Sequence, residues 1–424
     1  MIIASLAFLL LLVLGLPIGF VMLGASMAYF AQNPMMASIV AQRMSSGLES
    51  FPLLAIPLFV VAGAAMARGG IAERLYGFCD TLVGHWRGGL AQIAVLNSVF
   101  MGAMSGSANA DAAIDARTIV PVMRKHGYSN AYGSVISAAS SLIAPIMPPS
   151  IALIVYGLLT DTSIGKLFVG GVIPALVIAV VLMATVRWTA ARMQLAPART
   201  ARASRREILH EGKAAFWALA MPVALIFGLR GGLFTPTELG AVAAVYAFLV
   251  GTLVYRGLRW SEVGDLLAES ATITASVMFI VASASVFSLI LSLEQVPQAL
   301  IGLLMQISDN PAVVLLVINL GLLVLGTVFE GLAIIVILGP LLLEVARALG
   351  IDPVHLGVVL VFNTAIGSLT PPVGTVMFTV LSITRCSVED FARAFLPFLL
   401  ALIGVLMLLT YVPALVTFLP NLLL

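Results

Sequence analysis

Long apolar runs, separated by short polar stretches, fill most of the chain. A helix needs about 20 apolar residues to cross the hydrocarbon core of a membrane, and several of the runs reach that length. The pattern predicts helices near 2–31, 52–68, 89–104, 107–123, 130–160, 165–193, 214–229, 236–256, 268–294, 311–328, 331–348, 354–384 and 391–418. We therefore predict an all-α polytopic membrane protein.

Two of the long runs are interrupted by prolines. Run 130–160 contains a double proline at 148–149, and run 354–384 contains another at 371–372. Proline in a helix interior removes a backbone hydrogen bond. At membrane depth such a break is tolerated only where the freed backbone is enclosed by protein or lines a cavity. Both runs are therefore predicted to be discontinuous helices.

Two pairs of shorter runs, at about 89–123 and about 311–348, are predicted to form re-entrant hairpins. Basic residues, including Arg87 and Arg124, flank the first pair, and the second pair lacks such a collar. Positive charge marks the cytoplasmic side of a membrane protein. The first hairpin is thus expected to enter from the cytoplasm and the second from the other face, which makes the two halves inverted repeats.

The two halves of the chain also resemble each other in sequence. Their double prolines lie 223 residues apart, and Asp111 matches Glu330 at an offset of 219. Internal repeats with a break at matching depth are typical of secondary transporters. A stretch rich in arginine divides the halves and is predicted to be cytoplasmic. The predicted domains are a first repeat over 1–193, a cytoplasmic basic linker over 194–213 and a second repeat over 214–424.

The composition narrows the class of protein further. Hydrophobic residues make up 61% of the chain and charged residues 9%, whereas soluble domains carry about 25% charged residues. With a net charge of +2, neither an ordinary soluble enzyme nor a nucleic-acid binder is expected. No histidine or cysteine has metal-ligand spacing, so we expect no transition metal and no cofactor.

The first basic residue is Arg43, which argues against a signal peptide and favours two periplasmic termini.

Polar residues interrupt the apolar runs at the two hairpin tips, 104–113 and 326–331, and at the two breaks, 140–150 and 363–375. Unwound backbone leaves carbonyl oxygens that suit a hard cation such as Na⁺. Helix N-termini at the same places present N–H groups and positive dipole ends, which suit a carboxylate. Each tip paired with its neighbouring break would give an oxygen-lined cage beside an anion site, and symport needs this combination.

Each of these polar residues also has a purely structural interpretation. An ionisable residue inside a membrane is a functional candidate by default, but Asp111 and Glu330 could instead be helix caps near the tips. Ser134 and Ser137 could serve only close helix packing, and Asp115 is interpreted as structural. The candidates for substrate contact or coupling are Ser107, Asn109, Asp111, Glu330, Asn363 and Thr375.

Six short motifs, in this order and spacing, resemble the large membrane (M) subunit of tripartite ATP-independent periplasmic (TRAP) transporters. The motifs are FPLLAIPLF at 51–59, GGLA at 88–91, the SGS tip at 105–107, PPSI at 148–151, FTPTE at 234–238 and LTPPVG at 369–374. The resemblance covers nearly the whole chain. The sequence departs from the family pattern at Asp115 and Ala144, where glycine is usual.

The resemblance implies the fold of the ion-transporter superfamily, in which a mobile domain with two hairpins and two broken helices moves as an elevator against a scaffold. It implies import of an organic acid, driven by a Na⁺ gradient, in a bacterial inner membrane. The expected partners are a soluble periplasmic binding (P) protein and a small four-helix membrane (Q) subunit. Because this chain begins at the M-like segment, we expect the Q subunit to be a separate chain. The family's ion sites, carried over by position, are Ser105, Ala144, Met147 and Pro148 for the first Na⁺ and Gly326, Gly367, Thr370 and Val373 for the second.

Two other functions stay open from the sequence alone. A stand-alone carboxylate or oxyanion symporter of the same superfamily would need no binding protein. An intramembrane aspartyl protease using Asp111 would need a second carboxylate that shares a proton with it, and Glu330 is predicted to enter from the opposite side. A purely structural scaffold would leave the matched polar breaks unexplained. We therefore expect a transporter, not an enzyme, that contacts membrane lipid and an organic acid.

Overall fold

The computed structural model describes residues 2–31, 37–230 and 234–424, and the regular elements in these ranges are all helical. The helices of the first half are α1 (Ile2–Val13), α2 (Ile18–Phe30), α3 (Ala37–Leu48), α4 (Ala55–Arg68), α5 (Ile71–Val83), α6 (Gly89–Ser105), α7 (Ala108–Lys125), α8 (Asn130–Ser141), α9 (Ile151–Leu159) and α10 (Ile164–Arg192). Those of the second half are α11 (Arg205–Arg230), α12 (Pro236–Leu249), α13 (Val263–Leu293), α14 (Val296–Ile307), α15 (Pro311–Gly326), α16 (Gly331–Ala348), α17 (Pro353–Gly367), α18 (Thr375–Thr384), α19 (Val388–Tyr411) and α20 (Ala414–Leu423).

Within the described ranges, seven segments are long and apolar enough to cross a membrane. They are Phe51–Arg68, Ile164–Arg192, Arg205–Gly228, Pro236–Val254, Trp260–Leu293, Gly331–Ala348 and Val388–Tyr411. The pair α14 and α15, bent by 115°, adds an eighth if it is counted as one span. The chain is therefore a polytopic membrane protein, as the apolar runs predicted.

Helix pairs and helix breaks occupy the regions for which the sequence predicts hairpins and broken helices, and these names are kept for them; the predicted re-entrant course stays a prediction. The first hairpin consists of α6 and α7, and the second of α15 and α16, each joined by a tip of a few residues. The first broken helix consists of α8 and α9, and the second of α17 and α18. The non-helical residues between the halves of each broken helix include the double prolines at 148–149 and 371–372.

The first apolar run does not form the single helix that its length predicted. Gly15 adopts a left-handed backbone with φ of 76°, and Pro17 precedes α2, so the run splits into α1 and α2. Leu11 of α1 lies against Gly24 of α2, because a Cβ placed on Gly24 would come 2.5 Å from a Leu11 methyl carbon. The two short helices therefore lie side by side.

Two further boundaries differ from the prediction, and three helices were not predicted. The run 391–418 divides into α19 and α20 around Pro413. The predicted linker at 194–213 is only partly a linker, since α11 already begins at Arg205. The helices α3, α5 and α14 were not predicted, because each is only 12 or 13 residues long and too short for a span.

An offset of 223 residues relates the second helices of the two hairpins. Helices α7 and α16 begin at 108 and 331 and end at 125 and 348. Ser107 and Glu330 are the N-cap residues of these two helices. The sequence match of Asp111 with Glu330, at an offset of 219, was therefore wrong by one helical turn. Ser107 is the structural counterpart of Glu330.

The broken helices form the centre of the molecule. Nearly every residue of α17 is buried. Asn363 of α17 donates to the Asn319 side-chain oxygen of α15 over 2.9 Å, and Asn319 donates to the Thr410 hydroxyl of α19 over 2.8 Å. Tyr156 of α9 donates to the Pro353 carbonyl over 2.9 Å and so joins the two halves. These hydrogen bonds satisfy polar groups that would otherwise be costly to bury.

Candidate substrate and cation sites

A cavity of about 190 Å³ lies between the two hairpin tips and the two breaks. The first tip contributes residues 106–109 and the second contributes residues 330–332. The broken helices close two more sides, and Ile273 and Val277 of α13 form an apolar wall. The polar side chains that line the cavity are Ser107, Asn109, Glu330, Thr364, Ser368 and Thr375.

Four helix N-termini converge on this cavity, because residues at the starts of α7, α9, α16 and α18 all line it. Serine or glutamate side chains cap the first three helices, whereas no side chain caps α18. Within the described parts of the chain, the backbone N–H groups of Ala108, Asn109 and Thr375 have no acceptor. Free N–H groups and positive dipole ends are groups that can hold an anion.

The first tip fits closely into the first break. Gly106 ends α6 in a left-handed conformation with φ of 58°, and a Cβ on it would lie 2.4 Å from the Pro149 carbonyl oxygen. A Cβ on Gly102 would lie 2.8 Å from the Ala144 Cα. Ser105 stands between these two contacts. Only glycine permits so close an approach of two backbones, and the tip is held against the break on both sides of Ser105.

The first break leaves carbonyl oxygens free. Ser150 fixes its shape, because its hydroxyl donates to the Pro145 carbonyl over 2.6 Å and accepts from the Leu153 N–H over 3.1 Å. No residue that the structure describes donates a hydrogen bond to the carbonyl oxygens of Ala144, Met147 or Pro148. These three residues are buried. Buried carbonyls need a partner, and oxygen atoms are the ligands that hard cations prefer.

The second tip and the second break meet through two glycines. A Cβ on Gly367 would come 2.5 Å from the Gly326 Cα. The Val373 N–H donates to the Thr327 carbonyl over 3.0 Å, which ties the break to the tip. Thr370 donates its hydroxyl to the Ile366 carbonyl over 3.0 Å. The structure thus brings the four residues carried over for the second ion site into one tip–break junction.

The six substrate candidates fall into two groups. Ser107, Asn109, Glu330 and Thr375 line the cavity. The other two do not, since Asp111 is fully buried in α7 and Asn363 belongs to the hydrogen-bonded centre of the molecule.

Several lining residues were not among the candidates, including two polar residues and the two that form the apolar wall. Thr364 and Ser368 face the cavity from the second broken helix. Their position just before the Pro371–Pro372 break was the signal that could have identified them. Ile273 and Val277 carry no such signal, because they lie inside one long apolar helix.

The fold has a counterpart among solved transporters. The structure of the Alcanivorax borkumensis YdaH transporter superposes with a TM-score of 0.64, at 15% sequence identity, over 90% of this chain and 88% of that chain. At this identity the likeness concerns the fold alone.

Sequence comparison is more specific. The chain matches the family described as "Tripartite ATP-independent periplasmic transporter, DctM component" over residues 5–415. It is 42% identical over 373 residues to the C4-dicarboxylate TRAP transporter large permease protein DctM of Pseudomonas aeruginosa, covering 88% of this chain and 87% of that protein. It is 40% identical over 413 residues to the sialic acid TRAP transporter large permease protein SiaM of Vibrio cholerae, and this match covers 97% of this chain and 96% of that protein. The chain therefore belongs to the DctM family, the large membrane permease component of TRAP transporters.

Proposed function

We propose that this chain imports an organic acid across the bacterial inner membrane, coupled to Na⁺, and that a periplasmic binding protein delivers the acid. The observation that carries this proposal is the convergence of four helix N-termini on one cavity beside unpartnered backbone carbonyls. The relatives support the solute class, since one is named for C4-dicarboxylates and another for sialic acid. All of these are carboxylates.

The anion would bind where the free N–H groups point. The tip around Ala108 and Asn109 faces one side of the cavity, and the uncapped start of α18 at Thr375 faces another. Glu330 also lines the cavity, but its carboxylate accepts from the Ala333 N–H over 3.3 Å and serves as the N-cap of α16. A charge at a helix N-terminus is partly compensated by the dipole, which reduces its repulsion of a bound acid.

The cations would bind where tip and break meet. Ser105 with Ala144, Met147 and Pro148 forms the first proposed Na⁺ site. The second comprises Gly326, Gly367, Thr370 and Val373. A cation at either junction would hold a tip against its break and so fix the helix N-termini that face the acid. Binding of Na⁺ would then favour binding of the acid, and such linkage is reciprocal.

The proposed movement is an elevator. The hairpins and broken helices would travel together, and α13, which supplies the apolar wall through Ile273 and Val277, would belong to the stationary scaffold. An apolar wall offers the acid no hydrogen bonds, so the bound solute can slide past it. The partners in this proposal are a small four-helix membrane subunit and the binding protein.

Bulky residues at the cation sites test the proposal. Ser105→Leu and Thr370→Leu should each abolish Na⁺-dependent uptake in proteoliposomes while the protein still inserts into the membrane, because the added carbons fill a tip–break junction. Thr272→Leu is a matched control, since Thr272 is exposed on α13. If Na⁺-dependent uptake is unchanged in both Ser105→Leu and Thr370→Leu, the assignment of the two Na⁺ sites is wrong.

A stand-alone symporter is distinguished by the same assay. If the permease with its membrane partner takes up solute without any binding protein, delivery by that protein is not required. The protease alternative needs two carboxylates that share a proton beside the bound substrate, yet among the described residues Glu330 is the one carboxylate that lines the cavity, and Asp111 and Asp115 are buried away from it.

A further inference from the structure

Two carboxylates are buried together inside the first hairpin, away from the cavity. Asp111 and Asp115 lie one turn apart on α7, and both are fully buried. Residues four apart on a helix share one face, with Cβ atoms about 5–6 Å apart. Asn97 and Ser98 of α6 and Tyr76 of α5 complete the cluster. Neither carboxylate has a role in the proposed transport site.

Asp115 is surrounded by hydrogen-bond donors. The Tyr76 hydroxyl donates to one carboxylate oxygen, and the Asn97 amide approaches the same oxygen at 3.5 Å. The Ser98 hydroxyl donates to the other oxygen over 3.4 Å. Hydrogen bonds of this kind stabilise the charged form of a carboxyl group. These hydrogen bonds favour the anionic form of Asp115 and oppose the cost of burying its charge.

Asp111 has the opposite surroundings. Neither of its carboxylate oxygens has a hydrogen-bond partner within the described ranges, because the neighbouring Ser98 hydroxyl donates to Asp115. The side-chain oxygen of Asn97 is also buried and has no partner among the described residues, because the side-chain NH2 group of Asn97 is the part that points toward Asp115. Three unsatisfied acceptor oxygens thus remain in one buried cluster. Each would cost free energy if it stayed unpaired.

No basic side chain compensates these carboxylates. The ion pairs of the described chain involve neither Asp111 nor Asp115. Arg117, the nearest basic residue in sequence, is exposed. A buried charge without a partner is strongly unfavourable. Either a proton on one of the carboxyl groups or a bound cation would remove this cost.

We propose that Asp111, Asp115 and Asn97 hold a Na⁺ ion inside the first hairpin, separate from the two tip–break sites of the proposed function. A proton on Asp111 could bridge to only one acceptor and would leave another orphaned. A cation takes several oxygen ligands at once and offsets the carboxylate charge. Bound here, it would tie α6 and α7 together beneath the tip that carries Ser105.

The second half of the chain lacks this site. Helices α7 and α16 are related by an offset of 223 residues, so Ile334 and Leu338 occupy the positions of Asp111 and Asp115. Helix α15 begins 222 residues after α6, which places Asn319 at the position of Asn97, and the Asn319 side chain is hydrogen-bonded to Asn363 and Thr410. Without carboxylates at the two positions on α16, the second hairpin needs no such ion. The acidic pair is thus a specific feature of the first hairpin and not a requirement of the hairpin fold.

Equilibrium binding of radioactive ²²Na⁺ to the purified permease with its small membrane subunit tests the proposal. Asp111→Asn should bind one Na⁺ fewer per chain than the unsubstituted protein. Asp161→Asn is the matched control, because Asp161 is exposed and asparagine tolerates its left-handed backbone. Unchanged Na⁺ stoichiometry in Asp111→Asn would overturn the proposal, whatever happens at Ser105 and Thr370.

Thermal unfolding in detergent provides a second readout that does not depend on the tip–break sites. In choline chloride, Asp111→Asn should raise the unfolding temperature, because it removes an uncompensated buried charge. In saturating NaCl this advantage should shrink or reverse, since an ion that binds only the native state stabilises it. An advantage that changes with pH but not with Na⁺ would indicate a proton at Asp111 and contradict the cation site.

Discussion

At the scale of single residues, the contact between Gly326 and Gly367 is the most constrained part of the second tip–break junction. We predict that Gly367→Ala separates the tip from the break, since the new Cβ would lie 2.5 Å from the Gly326 Cα. Overpacking of this kind costs about 1–3 kcal/mol, so the unfolding temperature should fall. Na⁺-dependent uptake in proteoliposomes should be lost.

The control for this prediction lies on the same hairpin. Gly321 of α15 is exposed, and a Cβ placed on it would meet no atom within 4 Å. Gly321→Ala should therefore keep both uptake and stability, and it should slightly favour the helix. Equal uptake by the two alanine variants would show that the close glycine contact is not needed for transport.

The sequence predicts residues that line the cavity only where a polar residue interrupts an apolar run. Ser107, Asn109, Glu330 and Thr375 stand out in this way, and all four line the cavity. Whether a polar residue near a helix start faces the cavity is harder to predict, because a shift of one helical turn can move its side chain out of the cavity. Asp111, four residues after the Ser107 cap, is buried beneath the tip instead.

At the scale of elements, Ser150 links the shape of the first break to the start of α9. Its hydroxyl holds the Pro145 carbonyl and caps the helix through the Leu153 N–H. We predict that Ser150→Ala lowers stability by about 0.5–2 kcal/mol, the usual cost of a lost N-cap. Uptake at low Na⁺ concentration should fall further, because the carbonyls of the first proposed Na⁺ site lie in the same break.

Ser163 offers the comparison for that variant. It caps α10 by accepting from the Lys166 N–H over 3.3 Å and is exposed. Ser163→Ala should show a similar loss of cap stability in thermal unfolding and an unchanged Na⁺ dependence of uptake. If both serine variants shift the Na⁺ dependence equally, Ser150 has no special effect on the break.

The elements themselves were predictable to different degrees. Hairpins and broken helices were found from the sequence because short apolar pairs and double prolines leave strong local signals. The split of the first run into α1 and α2 was not predicted, because the length of an apolar run does not show that the chain reverses direction at Gly15. The helices α3, α5 and α14 were missed since a span of about 20 residues was the criterion.

At the scale of the whole molecule, the account depends on two similar halves that meet at one cavity. Each half supplies a tip, a break and two helix N-termini, and offsets of 221 to 226 residues relate the helix boundaries beside them. The relation of the halves was visible in the sequence, but their meeting at one cavity required the structure. The acidic cluster at Asp111 and Asp115 breaks this symmetry, because Ile334 and Leu338 occupy the matching positions of the second half.

The most direct test is uptake of a labelled organic acid into proteoliposomes that hold the permease and its small membrane subunit. The acid is chosen as the one that stabilises the periplasmic binding protein in a thermal-shift screen. We predict uptake only when the loaded binding protein and an inward Na⁺ gradient are both present, and none when K⁺ replaces Na⁺. If the rate of uptake is the same with and without a Na⁺ gradient, the result contradicts the central claim that Na⁺ bound at the tip–break junctions couples the Na⁺ gradient to import of the acid.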